Sequence, residues 1–221
     1  MPALIATTHT LPDDKNMRTF LVVSAVIASL ALASPASGAE ADPPDVLLKA
    51  LTSEIRAAMT QDHDIRARDP AKIAHLIETK VLPFFDFRRM TQMAMARNWR
   101  LATAEQQNAL ISEFQTLLVR TYAAALQNYR NQTVEFKALD AKPGDVEVTV
   151  KSLLKETGVD PLPIDYQMAR TPAGWKVYEI TFDGINLIAN YRSVFETRVR
   201  SGGVDGLIKA LREKNRSSDP T

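Results

Sequence analysis

The sequence predicts an α+β domain: an antiparallel meander of about four strands with helices packed on one face. Three patterns lead there. Apolar residues recur at helical spacing up to about Tyr129, alternate with polar ones from Val134 to Phe182, and return to helical spacing after Asn186. The links between the alternating runs are short or moderate, as consecutive antiparallel strands require, and a sheet with one wet face needs helices over the other.

Each element has its own local cause. Pro43-Pro44-Asp45 opens a helix whose apolar stripe is Leu47, Leu51, Ile55 and Ala58. Asp62-His63-Asp64 and Arg66-Ala67-Arg68 read as a polar connection. Asp69-Pro70 caps a second helix, with Ile73, Leu76, Ile77 and Val81 on one face, and Pro83 ends it. Phe84 to Trp99 reads as one or two short helices rich in Phe and Met. Thr103 with Gln106 makes a capping box for a long helix reaching about Tyr129. Placed at ~100° per residue, its Leu110, Ile111, Phe114, Leu117, Leu118, Val119, Tyr122 and Leu126 cover an arc wider than packing against one layer needs. That helix therefore meets apolar material on two sides.

Val134-Glu135-Phe136 begins the strands. Val146, Val148 and Val150 alternate with Glu147, Thr149 and Lys151; Ile164, Tyr166 and Met168 alternate with Asp165, Gln167 and Ala169. Thr171-Pro172-Ala173-Gly174 turns into a strand from Trp175, in which Tyr178, Ile180 and Phe182 alternate with Glu179 and Thr181. Asp183-Gly184 breaks it, Asn186 caps the next helix, and Gly202-Gly203 divides the two helices that close the chain.

Composition sets limits on function. The chain has 221 residues, no cysteine and a formal net charge of +1, so disulfides, thiol chemistry and a strong field for nucleic acid are excluded. Lys15 and Arg18 precede an apolar run from Phe20 to Ala33, shorter than the ~20 residues a membrane span needs. Ser34-Pro35-Ala36-Ser37-Gly38-Ala39 follows with small residues suited to signal peptidase. Residues 1–39 are thus expected to be a signal peptide, with translation starting at Met17 as a variant. The domain should span residues 40–214, and residues 215–221 should form a disordered tail.

Candidates for catalysis are few. His75 lies off the apolar helix face, and Asp62-His63-Asp64 has no second cluster to complete a metal site. No serine sits in a G-x-S-x-G elbow. Asp86, which follows two phenylalanines, Asp165, which faces away from Ile164 and Tyr166, and Asp183, in a turn, each read as a cap, salt-bridge partner or solvated group rather than a general acid.

Several segments together resemble the MlaC-type family of periplasmic phospholipid-binding proteins, also called the toluene-tolerance auxiliary family. They are Trp175 to Arg192; Val81-Leu82-Pro83-Phe84-Phe85-Asp86-Phe87 with Met90, which looks like that family's LP-x-x-DF-x-x-M; Trp99 with Ala102-Thr103; Leu117 to Tyr122 with Tyr129; Pro163 to Met168; and Gly202-Gly203 with Leu207, Ile208 and Leu211. The likeness covers nearly all of residues 45–214. Many members have glycine where Ala96 stands; alanine there predicts ordinary helix.

The resemblance implies a curved sheet and helices closing into a deep apolar pocket, and a monomeric periplasmic carrier that transforms nothing. Its cargo would be a phospholipid, with no cofactor and no metal. The docking partners would be an inner-membrane MCE-domain ABC transporter complex and an outer-membrane lipoprotein complex, in a system that maintains outer-membrane lipid asymmetry. A carrier of another lipid such as a hopanoid, and an enzyme with a cone-shaped pocket, are the competing readings. The long helix would then have a sheet on one side and either helices or lipid tails on the other. Tail-facing candidates are Phe84, Phe85, Phe87, Met90, Phe114, Leu118, Tyr122, Ile164, Tyr166, Met168, Val177, Leu187 and Ile188, with Arg192, Lys176 and Arg97 at a head-group rim.

Overall fold

Pro44 sits in the first turn of helix α1 (Pro44–Gln61), where its missing N–H costs nothing, and Leu48 and Leu51 are buried along it. The structure, a computed structural model, describes residues 42–66, 69–127 and 132–217. The expected signal peptide and its expected cleavage point lie outside the described residues. After α1 come a single turn, α2 (His63–Arg66), and α3 (Pro70–Leu76). The predicted polar connection is thus partly helical, because Ile65 is buried with Ile73, Leu76 and Ile77. The Asp69 carboxylate accepts from the backbone N–H groups of Ala71 and Lys72, as its position predicts.

Pro83 then shapes the chain. Proline has no N–H for the carbonyl four residues back, and its ring crowds that carbonyl. The helix widens to a π turn over Ile77–Val81, where the Leu82 N–H reaches the Ile77 carbonyl, and tightens to a 3-10 turn over Leu82–Phe84. Helix α4 (Phe87–Met95) follows, then a 3-10 turn (Ala96–Leu101) and the long α5 (Ala104–Gln127). Asp86 caps α4 through the Arg89 N–H at 2.9 Å. The capping box of α5 is reciprocal: Thr103 N–H donates to the Gln106 side chain at 3.0 Å and Gln106 N–H to the Thr103 hydroxyl at 3.3 Å.

The sheet is a five-stranded antiparallel meander, β1 (Thr133–Phe136), β2 (Glu147–Glu156), β3 (Val159–Thr171), β4 (Gly174–Phe182) and the two-residue β5 (Ile185–Asn186). The fifth strand is too short to leave an alternation in the sequence. Val150 faces Tyr166 and Ser152 faces Ile164; across the next pair Ile164 faces Phe182 and Tyr166 faces Ile180.

The alternation predicted for β4 fails at one residue. Gln167 pairs with Glu179 but Met168 pairs with Val177, so Tyr178 is the extra residue of a bulge. Val177, not Tyr178, keeps company with Ile180 in the core. Tyr178 instead lies under the Arg89 guanidinium, 3.5 Å from its ring centre, and donates to Glu147 at 3.3 Å.

Helix α6 (Leu187–Ser217) closes the chain, with its break at Gly203, whose φ of 66° suits glycine. It runs past the predicted start of a disordered tail. Asn215 is buried there, donating to the Glu113 backbone carbonyl and, at 2.8 Å, to its carboxylate, while Arg120 donates to the Asn215 carbonyl. Residues 218–221 lie outside the described residues.

Alanine at position 96 does not give ordinary helix. Its φ is 47° and ψ −127°, a left-sided conformation that lets the chain leave α4 and enter the 3-10 turn.

Candidate functional site

The apolar faces do not merge into one core; they form three clusters. One joins α4, α5 and α6 through Met90, Phe114, Leu118, Leu187, Ile188 and Phe195. A second packs α1 on the sheet through Leu48, Leu51, Val150, Ile164, Met168, Val177 and Ile180. A third holds α2, α3 and the π turn through Ile65, Ile73, Leu76 and Ile77, with Val119 and Leu82 against it.

Where the three meet, packing stops, and a cavity of about 390 Å³ remains. Every layer contributes to its wall: Thr52, Ile55 and Arg56 from α1; Ile77 and Val81 from the π turn; Leu82 and Phe85; Phe87 and Met90 from α4; Leu118 and Val119 from α5; Gln132 and Val134; Leu154, Ile180 and Phe182 from the sheet; and Leu187. The volume falls in the ~300–1,000 Å³ range of ligand pockets and greatly exceeds what one water needs. The lining gives water few partners, since Thr52, Arg56 and Gln132 are its polar residues. Burial orients the cavity. Met90, Ile77, Leu118 and Leu187 are buried, whereas Arg56 is the exposed residue of the lining, so the cavity reaches solvent beside Arg56.

The wall is held by specific bonds. Phe85 pairs with Val177 at the edge of β4, the Asp86 N–H donates to the Val177 carbonyl at 2.9 Å, and the Lys176 ammonium donates to the Pro83 carbonyl. These fasten the Pro83–Asp86 stretch to the sheet. Phe85 and Phe87 stack with centroids 5.8 Å apart, and both line the cavity.

Of the tail-facing candidates, Phe85, Phe87, Met90, Leu118 and Leu187 meet at this wall. Phe114 and Ile188 lie in the helical cluster, where Phe114 makes edge contacts with Tyr191 and Phe195. Ile164, Met168 and Val177 lie in the sheet cluster, with Phe84 and Tyr166 packed against it. None of those seven lines this cavity. The side chain of Tyr122 lies outside the described residues. Residues of α1, the π turn and β1 were missed as wall. Ile55, Ile77, Val81 and Val134 stood on apolar faces, but a face pattern does not say whether its partner is protein or space.

The rim candidates are engaged elsewhere and line none of the cavity. Arg97 pairs with Glu196 at 2.5 Å, Arg192 donates to the Met93 carbonyl at 3.3 Å, and Lys176 holds Pro83. Among the described residues the cation in the lining is Arg56.

Three tyrosines are held above their ordinary pKa. Burial pushes the Tyr166 phenol up, opposed by its hydrogen bond with Ser152. Burial also raises Tyr178 and Tyr191, with Glu147 adding to the rise at Tyr178. His75 is exposed, and among the described residues no group of His, Asp and Glu could hold a metal ion.

Fold and site thus define an α+β binding domain whose helices and sheet close around an apolar cavity with a polar mouth. Residues 49–213 match the MlaC protein family, and the chain belongs to that family. The intermembrane phospholipid transport system binding protein MlaC of Haemophilus influenzae is 20% identical over 200 residues, covering 88% of this chain and 89% of that one. The phospholipid-binding protein of Ralstonia solanacearum, solved in complex with a phospholipid, is 38% identical, with a TM-score of 0.73 over 79% of this chain and 97% of that one.

Proposed function

We propose that this protein is a periplasmic phospholipid carrier, the soluble binding component of an ABC-type intermembrane transport system that maintains outer-membrane lipid asymmetry. Residues 1–39 would direct export. An inner-membrane MCE-domain transporter complex and an outer-membrane lipoprotein complex would exchange cargo with it, and it would act as a monomer without cofactor or metal. The observation that carries this reading is the apolar cavity. A diacyl lipid has about 30 methylenes at ~0.8 kcal/mol each, so leaving a bilayer for water costs on the order of 20 kcal/mol. A carrier removes that cost by offering walls about as apolar as the membrane. It has no need of a catalytic set.

Among the described residues no helix is long and apolar enough to cross a membrane, which fits a carrier that moves between two. The test is lipid extraction from the purified chain followed by mass spectrometry. Phospholipid at near-stoichiometric amount is expected. Protein that carries no amphiphile, or that turns over a lipid ester, overturns the reading; a hopanoid would redirect the cargo assignment.

A further inference from the structure

We infer that Arg56 reads the phosphate of the cargo and makes the cavity selective for lipids that carry one; this rests on the carrier reading above. The argument begins with α1. Thr52 and Arg56 stand one turn apart on the same helix face, and both reach the cavity together with Ile55 between them. Gln132 faces the same space from the start of β1. The floor, by contrast, is Met90, Leu118 and Leu187, which are almost fully buried. Tails drawn to that floor leave the head group's phosphodiester at the Thr52, Arg56 and Gln132 end.

Charge pairing singles out Arg56. The acids of α1 are already used: Asp45 pairs with Lys49 at 2.7 Å and Glu54 with Lys80 at 2.6 Å. Glu156 accepts from Gln132 at 2.9 Å. No carboxylate among the described residues pairs with Arg56. An arginine at an apolar edge lays its stem on the wall and keeps its guanidinium at the water line. There it offers paired N–H donors matched to phosphate oxygens. The Thr52 hydroxyl is a further donor one turn away on the same helix. A neutral diacylglycerol presents ester and hydroxyl oxygens to the guanidinium but no anionic oxygen to pair with its charge.

The test is lipid uptake by the full chain from vesicles of equimolar phosphatidylglycerol and diacylglycerol, with bound lipids counted by mass spectrometry. Wild type should load phosphatidylglycerol in excess. Arg56→Gln should lower the phosphatidylglycerol-to-diacylglycerol ratio about tenfold, the scale of one charge-assisted contact at a wet site, with total lipid per protein unchanged. Arg56→Lys should keep part of the ratio, and Arg192→Gln all of it. An unchanged ratio in Arg56→Gln overturns the inference while leaving the carrier intact. A wild type that loads neither lipid removes both. Inorganic phosphate alone should not raise the melting temperature through Arg56; a rise abolished in Arg56→Gln would assign the residue to a free anion instead.

Discussion

Replacing Ala96 with glycine should stabilise the protein. At φ 47° and ψ −127° the alanine methyl group is held in a region that residues with a Cβ rarely occupy, at a cost of about 1–3 kcal/mol. Ala96 is exposed, so the methyl returns little by packing. Glycine removes the strain but gives the unfolded chain more freedom, which offsets about 0.4–1 kcal/mol. The balance is a gain of about 0.5–2 kcal/mol, or an increase of about 1–8 °C in melting temperature for a domain of this size. Urea titration with an unchanged slope would show that the native state alone has moved. Lipid loading should not change, because Ala96 does not line the cavity. A variant that is less stable than wild type would mean that the chain at position 96 is ordinary helix, where glycine costs ~1 kcal/mol, and the turn geometry would be refuted.

Val134→Trp should fill the cavity, lowering lipid loading without loss of stability in the lipid-free protein, whereas Leu110→Phe, placed in solid core, should cost about 1–3 kcal/mol; equal destabilisation by both in urea would argue that no void exists. Tyr166 is neutral in the fold to higher pH than in the unfolded chain, so its contribution is complete below about pH 10 and is lost as pH rises through its raised value. Tyr166→Phe should therefore flatten the fall in melting temperature above about pH 10, and an unaltered fall would place the loss in Tyr178 or Tyr191. Glu113→Ala should destabilise by about 1–2 kcal/mol, because it strips buried Asn215 of a carboxylate partner at 2.8 Å and Arg212 of one at 3.1 Å; a loss within error in thermal melts would show that water serves Asn215 as well.

Much of the fold was legible because its signals are local. Asp69, Thr103 with Gln106 and Asn186 each announce a helix start through side-chain chemistry acting within a few residues, and all of them make the expected bonds. The bulge at Tyr178 was not legible. It is set by the partner strand and by Arg89 and Glu147, which are distant in sequence. Ala96 misled for a related reason: alanine's helix preference is worth less than the connections that fix α4 against the 3-10 turn. At the site, Phe85, Phe87 and Met90 stand out as an aromatic and sulfur-rich run, yet Phe114 and Met168 have the same chemistry and end in solid core. Hydrophobic period reports which side is dry. It carries no information on whether the dry side is full. Arg56 was passed over because a lone arginine on a helix face looks like any solvated cation until the opposing wall is known.

The void has a structural cause that links chain to function. Three clusters could have collapsed into one another, and dispersion would favour it. What keeps them apart is backbone geometry at the junction. The π turn before Pro83 places Ile77 and Val81 on the wall, and the following stretch is fastened to β4 through Val177 and Lys176, which holds Phe85 at the wall beside Phe87. Leu118 and Val119, neighbours on α5, face different clusters across that space. An interior held open in this way carries unmet apolar surface in the empty state. Cargo with long tails would supply the missing contacts, so lipid-loaded protein should be more stable than empty protein by the same binding that makes it a carrier.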